Sequence, residues 1–159
     1  MNEERRVRVE WDGPFSVEEV TRKYDSDSDY GLYQVYGEHV VFGSDSLLYI
    51  GKACKQSFAR RIQQHAAGWL SEENAPMIYL GQIVEGDYVK GDKNKDWEEV
   101  VDAVEALTIY WHSPPYNSQH INEYGRMALR VQNLEKLGSL VQEYSSSNIA
   151  VRNLDGVPG

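Results

Sequence analysis

Five side chains suited to proton transfer and anion binding fall within one stretch of the 159-residue chain: Tyr33, Tyr49, Lys52, Arg61 and His65. Gly31-Leu32-Tyr33 begins one strand-like run, and Tyr49-Ile50-Gly51-Lys52 ends another. A tyrosine hydroxyl donates a proton, or accepts one when ionised; lysine and arginine hold anions; histidine changes charge near neutral pH. A β-hairpin followed by a helix would bring all five together. The chemistry expected of such a cluster is proton transfer beside a bound polyanion.

The charge pattern points the same way. The net charge is −9, which argues against a non-specific duplex binder, since such proteins carry a basic face. Yet Ser46 to Ser71 holds no Asp or Glu, while Lys52, Lys55, Arg60 and Arg61 lie inside it. That window carries +4, so the remainder of the chain carries −13. Lys52, Lys55 and Arg60 are the expected substrate-binding cations, and a solvated basic face is the plainer alternative.

Other chemistries fail on spacing. Gly51-Lys52 suggests a phosphate-binding P-loop, but that motif needs Gly at 46 and Ser or Thr at 53, where Ser46 and Ala53 stand. Asp25-Ser-Asp-Ser-Asp29 alternates like the start of an EF-hand loop, but Tyr30 and Tyr36 occupy the Gly and Glu positions. A solvated acidic linker is expected there instead. The single cysteine, Cys54, has no partner for an internal disulfide and fits a reducing compartment. No apolar run reaches the roughly 18 residues of a membrane span. No hydrophobic signal segment follows Met1 to Arg6. A cytoplasmic protein without a membrane partner is expected.

The elements that must position the five residues follow from periodicity. Val7, Val9 and Trp11 alternate with polar residues as in a strand, and Gly13-Pro14 breaks it. Ser16 with Glu19 reads as a helix N-terminus, and the helix stops near Tyr24. Residues 31–36 and 47–51 are strands, with the turn at Gly37-Glu38-His39 or at Gly43 to Ser46. Ser57 caps a helix running to about Trp69. Phe58, Ile62 and Trp69 mark its apolar side, with Arg61 and His65 on or beside it, one turn apart. A buried strand over 77–84 precedes a polar loop, 86–96. A long amphipathic helix over about 96–111 carries Glu105 on the lip of its apolar stripe, until Pro114-Pro115 ends it. Residues 128–132 and 138–141 suggest a further hairpin, with a short helix as the alternative, and the tail from Ser145 reads as loosely held.

Gly31-Leu32-Tyr33 and Tyr49-Ile50-Gly51 resemble the two halves of the GIY-YIG nuclease signature. Arg61 and His65, Glu105, and Pro114-Pro115-Tyr116-Asn117 match the later arginine, histidine, glutamate and asparagine of that family in order. Leu32 replaces an isoleucine, and Arg61 rather than Arg60 lies on the appropriate helical face. The resemblance covers about residues 30–117. It implies an α+β fold with a small central antiparallel β-sheet of about three strands, flanked by helices. The whole of 1–159 is expected to form a single domain, with the strand and helix of 5–24 and the segment 118–159 as additions to that core.

The resemblance also implies roles. Tyr33 is the general base and Tyr49 shares the proton. Arg61 contacts the scissile phosphate, His65 orients a tyrosine or the phosphate, Glu105 holds Mg²⁺ or Mn²⁺, and Asn117 braces the site. A free tyrosine titrates near about 10, and Lys52, Arg61 and the metal are expected to lower Tyr33 from there. The implied function is metal-dependent cleavage of nucleic acid, with DNA the expected substrate, in restriction or repair. A homodimer is expected for cutting both strands, or a protein partner that delivers the substrate. The alternative is a catalytically silent module that binds nucleic acid or protein.

Overall fold

The computed structural model describes residues 4–84, 97–121, 125 and 127–147. Six strands form one sheet: β1 (Arg5–Phe15), β2 (Gly31–His39), β3 (Gly43–Ala53), β4 (Met77–Val84), β5 (Leu129–Glu135) and β6 (Glu143–Ser145). The order across the sheet is β3-β2-β4-β1-β5-β6. All neighbours are antiparallel except β1 and β5, which are parallel. The helices are α1 (Val17–Lys23), α2 (Phe58–Ala66) and α3 (Trp97–His112), with a 3₁₀ turn at Trp69–Glu72.

This corrects the expected small antiparallel sheet of about three strands. The sheet is mixed, twice as wide and curled into half a barrel. Alternation in β1 shows that one face is buried, but not which strand lies alongside. Trp11 answers that: its Nε1 donates to the buried Asn133 of β5 at 2.9 Å. The N-terminal strand is thereby the middle of the sheet rather than an addition to it.

Both faces of the sheet are packed, by different helices. Val7, Val9, Trp11, Leu32, Ile50, Leu129 and Val131 bury against Val100, Val101, Val104 and Leu107 of α3. Tyr33, Val35, Ile78 and Leu80 bury on the opposite face with Val20 of α1 and with Phe58 and Ile62 of α2. Ser16 Oγ accepts from the Glu19 amide while Glu19 Oε1 accepts from the Ser16 amide, both at 3.1 Å, as the Ser-x-x-Glu spacing predicts. Ser57 Oγ caps α2 through the Arg60 amide at 3.2 Å and donates to Asp25 Oδ1 at 2.6 Å.

Three local readings change. β1 continues through Gly13-Pro14 to Phe15, with a register irregularity after Asp12. The β2–β3 turn is Val40-Val41-Phe42, exposed at the hairpin tip between the two sites expected. Ser145 and Ser146 are buried, and Ser146 Oγ accepts from the Leu129 amide at 3.0 Å. The expected 86–96 loop and most of the expected loose tail lie outside the described residues.

Candidate active site

Two glycines let the hairpin carry its tyrosines. Gly31 has φ +147°, and a Cβ there would overlap the carbonyl oxygen of Gly81 on β4. Gly51 lies opposite Tyr33 across the β2–β3 ladder, and a Cβ there would overlap Cζ and Oη of Tyr33. The Tyr33 ring therefore lies across β3 over a position where only glycine fits. Tyr49 precedes Gly51 by two residues on the same face, and its ring stacks on Tyr33 with centroids 6.1 Å apart. Tyr33 is buried and Tyr49 half-buried.

α2 brings two further groups to these hydroxyls. The Arg61 guanidinium lies near enough to both tyrosines for its charge to act on them, while its Nη1 donates to Gln64 Oε1 at 2.9 Å. His65 Nε2 lies 2.5 Å from Tyr33 Oη. On the other side of the imidazole, Trp69 Nε1–H donates to His65 Nδ1 at 3.0 Å. Indole nitrogen only donates, so Nδ1 must carry the lone pair and Nε2 the proton. His65 is thus fixed as a donor toward the Tyr33 oxygen. Burial, with the neighbouring Arg61 charge, pushes its pKa down to about 4, so the neutral imidazole persists at ordinary pH.

That shift has a consequence for stability. The unfolded chain binds a proton at His65 below about pH 6.5, the folded chain only below about 4. Stability is therefore lost as pH falls through this window, by at most about 3 kcal/mol, and by less for a half-buried ring. Glu105 acts with the opposite sign over much of the same window, so the measurement is a comparison. Urea melts of wild type and His65→Asn should differ less at pH 4.5 than at pH 7. A constant difference would contradict the assigned environment of His65.

Burial dominates Tyr33. It raises the phenol well above its usual range, with Tyr49 and Glu105 adding to the rise and Arg61 opposing it. Arg61 lowers it as expected, but in the metal-free protein burial outweighs that cation. Lys52 is turned elsewhere: its ammonium pairs with Asp102 and stands 3.9 Å from Glu105 Oε1. Glu105, on α3, is only 12% exposed, and burial raises its carboxyl to about 7 despite Lys52 and Arg61. A buried carboxyl short of positive charge suits one hard divalent cation that keeps most of its waters. Among the described residues no group of three or more His, Cys, Asp or Glu side chains could hold a metal.

The remaining expected residues divide. Asn117 Oδ1 accepts from the Ile50 amide and Nδ2 donates to the Ile50 carbonyl, both at 2.9 Å. Together with the Tyr116 amide on the Leu48 carbonyl at 2.9 Å, it covers the free edge of β3 between Tyr49 and Gly51. Lys55 and Arg60 stay outside the cluster: Lys55 pairs with Glu98 at 3.7 Å and Arg60 with Asp25 at 3.7 Å, both largely exposed. Asp25 to Asp27 of the acidic segment are exposed as expected of a linker, but Asp29 is buried and accepts from Ser26 Oγ at 2.8 Å.

Two participants are not evident in the sequence reading. Trp69 was legible as an apolar helix position, yet a donor-only ring four residues after a histidine signals a fixed tautomer. Asp102 precedes Glu105 by one helical turn and absorbs the charge of Lys52. No helix among the described residues is long and apolar enough to cross a membrane. No family model matches the chain, and neither a curated protein nor a solved structure does.

Proposed function

We propose that the protein is a divalent-metal-dependent endonuclease of the GIY-YIG type that hydrolyses phosphodiester bonds in DNA. The observation that carries this reading is the stacked pair of Tyr33 and Tyr49, with His65 Nε2 2.5 Å from the Tyr33 hydroxyl and the charges of Arg61 and Glu105 beside it. Hydrolysis needs a proton acceptor for the attacking water, positive charge at the phosphoryl oxygens, and stabilisation of the leaving 3′ oxygen. Tyr33 takes the water proton as phenolate, a form that the donors Arg61 and His65 favour. Tyr49 shares that proton. The water oxygen bonds to phosphorus in line as the bond from phosphorus to the 3′ oxygen breaks, and Arg61 holds a non-bridging oxygen throughout. Mg²⁺ or Mn²⁺ held by Glu105 would supply Lewis acidity to the leaving oxygen. Asn117 keeps β3, and with it Tyr49, in register.

The setting expected of such an enzyme is cytoplasmic, in restriction or repair, acting as a homodimer or with a recruiting protein. One observation favours a second reading, a silent binding module: burial keeps Tyr33 a phenol in the free protein. Labelled single-stranded, duplex and RNA substrates incubated with Mg²⁺, Mn²⁺ or EDTA separate the two. Metal-dependent product supports the nuclease. Binding without product under every metal would establish the silent module.

A further inference from the structure

Among the described residues, no helix packs the β1, β5 and β6 half of the sheet face that carries Tyr33. Tyr33 pairs with Leu80, and Leu80 with Asp12, so the outward residues of β1 share the face of Tyr33. Helices α1 and α2 bury the β2–β4 half of that face. Over β1, β5 and β6 a cleft of about 330 Å³ remains instead, lined by Arg6, Arg8, Arg130 and Gln132, with Glu4 and Glu143.

Register sets the cleft's charge pattern. Arg6 lies opposite Arg130, and Arg8 opposite Gln132, which in turn faces Glu143. Arg130 is committed, with Nε 2.9 Å from Glu4 and a terminal nitrogen 3.3 Å from Glu143. Arg6 and Arg8 are exposed, and no Asp or Glu among the described residues pairs with either. Glu10, the next outward position of β1, does not line the cleft. Two residues apart on one strand, the arginines stand about 6.6 Å from each other. That matches the scale on which successive phosphates repeat along an extended nucleic-acid strand.

The contrast with the basic window decides where a polyanion is gripped. Lys52, Lys55 and Arg60 each hold an acid, leaving Arg61 as the window's cation among the tyrosines. Guanidinium forks suit phosphate oxygens, and neutralised lysines contribute little. We propose that the Arg6–Arg8 cleft is a second phosphate site, which holds the backbone of the substrate strand at a distance from the bond that is cut. The Arg130 carboxylate pairs fix the cleft's far wall, and Arg6 and Arg8 take the phosphates. This rests on the nuclease reading for its ligand, but not for its test.

The test is binding of a labelled single-stranded oligodeoxynucleotide by the full chain in EDTA, across a salt series. Arg6→Gln with Arg8→Gln should raise Kd at least about tenfold and lower the slope of log Kd against log salt by about 1.4, for two contacts. Arg6→Lys with Arg8→Lys should keep the slope, because released counterions count charge. With metal present, the Gln pair should hydrolyse bis-p-nitrophenyl phosphate as wild type does, since that substrate is too small to span the cleft. Unchanged affinity and slope in the Gln pair would overturn the site. So would competition by inorganic phosphate at matched ionic strength as effective as that by unlabelled strand. If wild type hydrolyses nothing but its affinity still depends on Arg6 and Arg8, the nuclease reading fails and the cleft stands.

Discussion

Arg61→Ala should lower cleavage at least about 100-fold, and Glu105→Ala should match it. Arg61 sets its charge beside both tyrosines and, in the proposed reaction, on a phosphoryl oxygen. One charged donor aimed at a transition state is worth about 3–4 kcal/mol, or a factor of several hundred. Arg61→Lys should recover little, because an ammonium cannot present a planar fork to the phosphoryl oxygens. The loss should be chemical rather than structural, since Arg61 is only half-buried and its side chain lies at the surface of α2. Single-turnover cleavage alongside thermal melts checks both halves. A loss below tenfold in either variant with an unchanged melt would remove that residue from the reaction.

Tyr33→Phe should also fall by at least about 100-fold, the range for losing a general base. The phenylalanine ring still lies over Gly51, so the packing that Tyr33 supplies is retained. The pH profile adds a sharper criterion. Burial raises the Tyr33 phenol, so at neutral pH the basic form is scarce, and its fraction grows tenfold with each pH unit. Wild-type rate should climb steadily from about pH 7 into the alkaline range, while Tyr33→Phe stays flat. Trp69→Phe isolates the contribution of the fixed imidazole. It keeps the ring beside His65 but removes the donor to Nδ1, freeing the imidazole to present a bare Nε2 to the Tyr33 hydroxyl. A drop of about tenfold is expected, together with a mixed tautomer in nitrogen NMR of the imidazole. A wild-type profile that is level from about pH 7 to 9 would rule out a phenolate base.

The cluster was more legible than the sheet around it. Hairpin and helix periodicity placed Tyr33, Tyr49, Arg61 and His65 together because each depends on local geometry: alternation along a strand, and one turn of α2. Glu105 could be placed on the lip of its helix for the same reason. The contradicted part, the small antiparallel sheet, was an inference about partners. The parallel pairing of β1 with β5 has no connecting turn to announce it, and a buried Trp11–Asn133 bond cannot be read from either residue alone. Charge misled in a similar way. Lys52, Lys55 and Arg60 look uncompensated along the chain, but Asp102, Glu98 and Asp25 reach them from distant elements. In the metal-free protein the pull of Arg61 on the Tyr33 pKa is outweighed by burial, which depends on tertiary packing.

The β1–β5 pair also sets an order of events. Arg5 lies beside Leu129, so the sheet's middle joins segments at opposite ends of the described chain. Loop closure over that span is slow relative to forming the β2–β3 hairpin or α2, whose contacts are local. Thr108 of α3 bonds Tyr144 of β6 at 2.7 Å, and His112 Nε2 accepts from the Val141 amide at 2.9 Å. The C-terminal strands therefore clasp the helix that carries Glu105. During synthesis the tyrosines and Arg61 can assemble early, whereas Glu105 is gripped only after residue 144 has emerged. A nascent or truncated chain would hold the tyrosines and Arg61 without the carboxylate, and the proposed activity would begin only with the finished sheet.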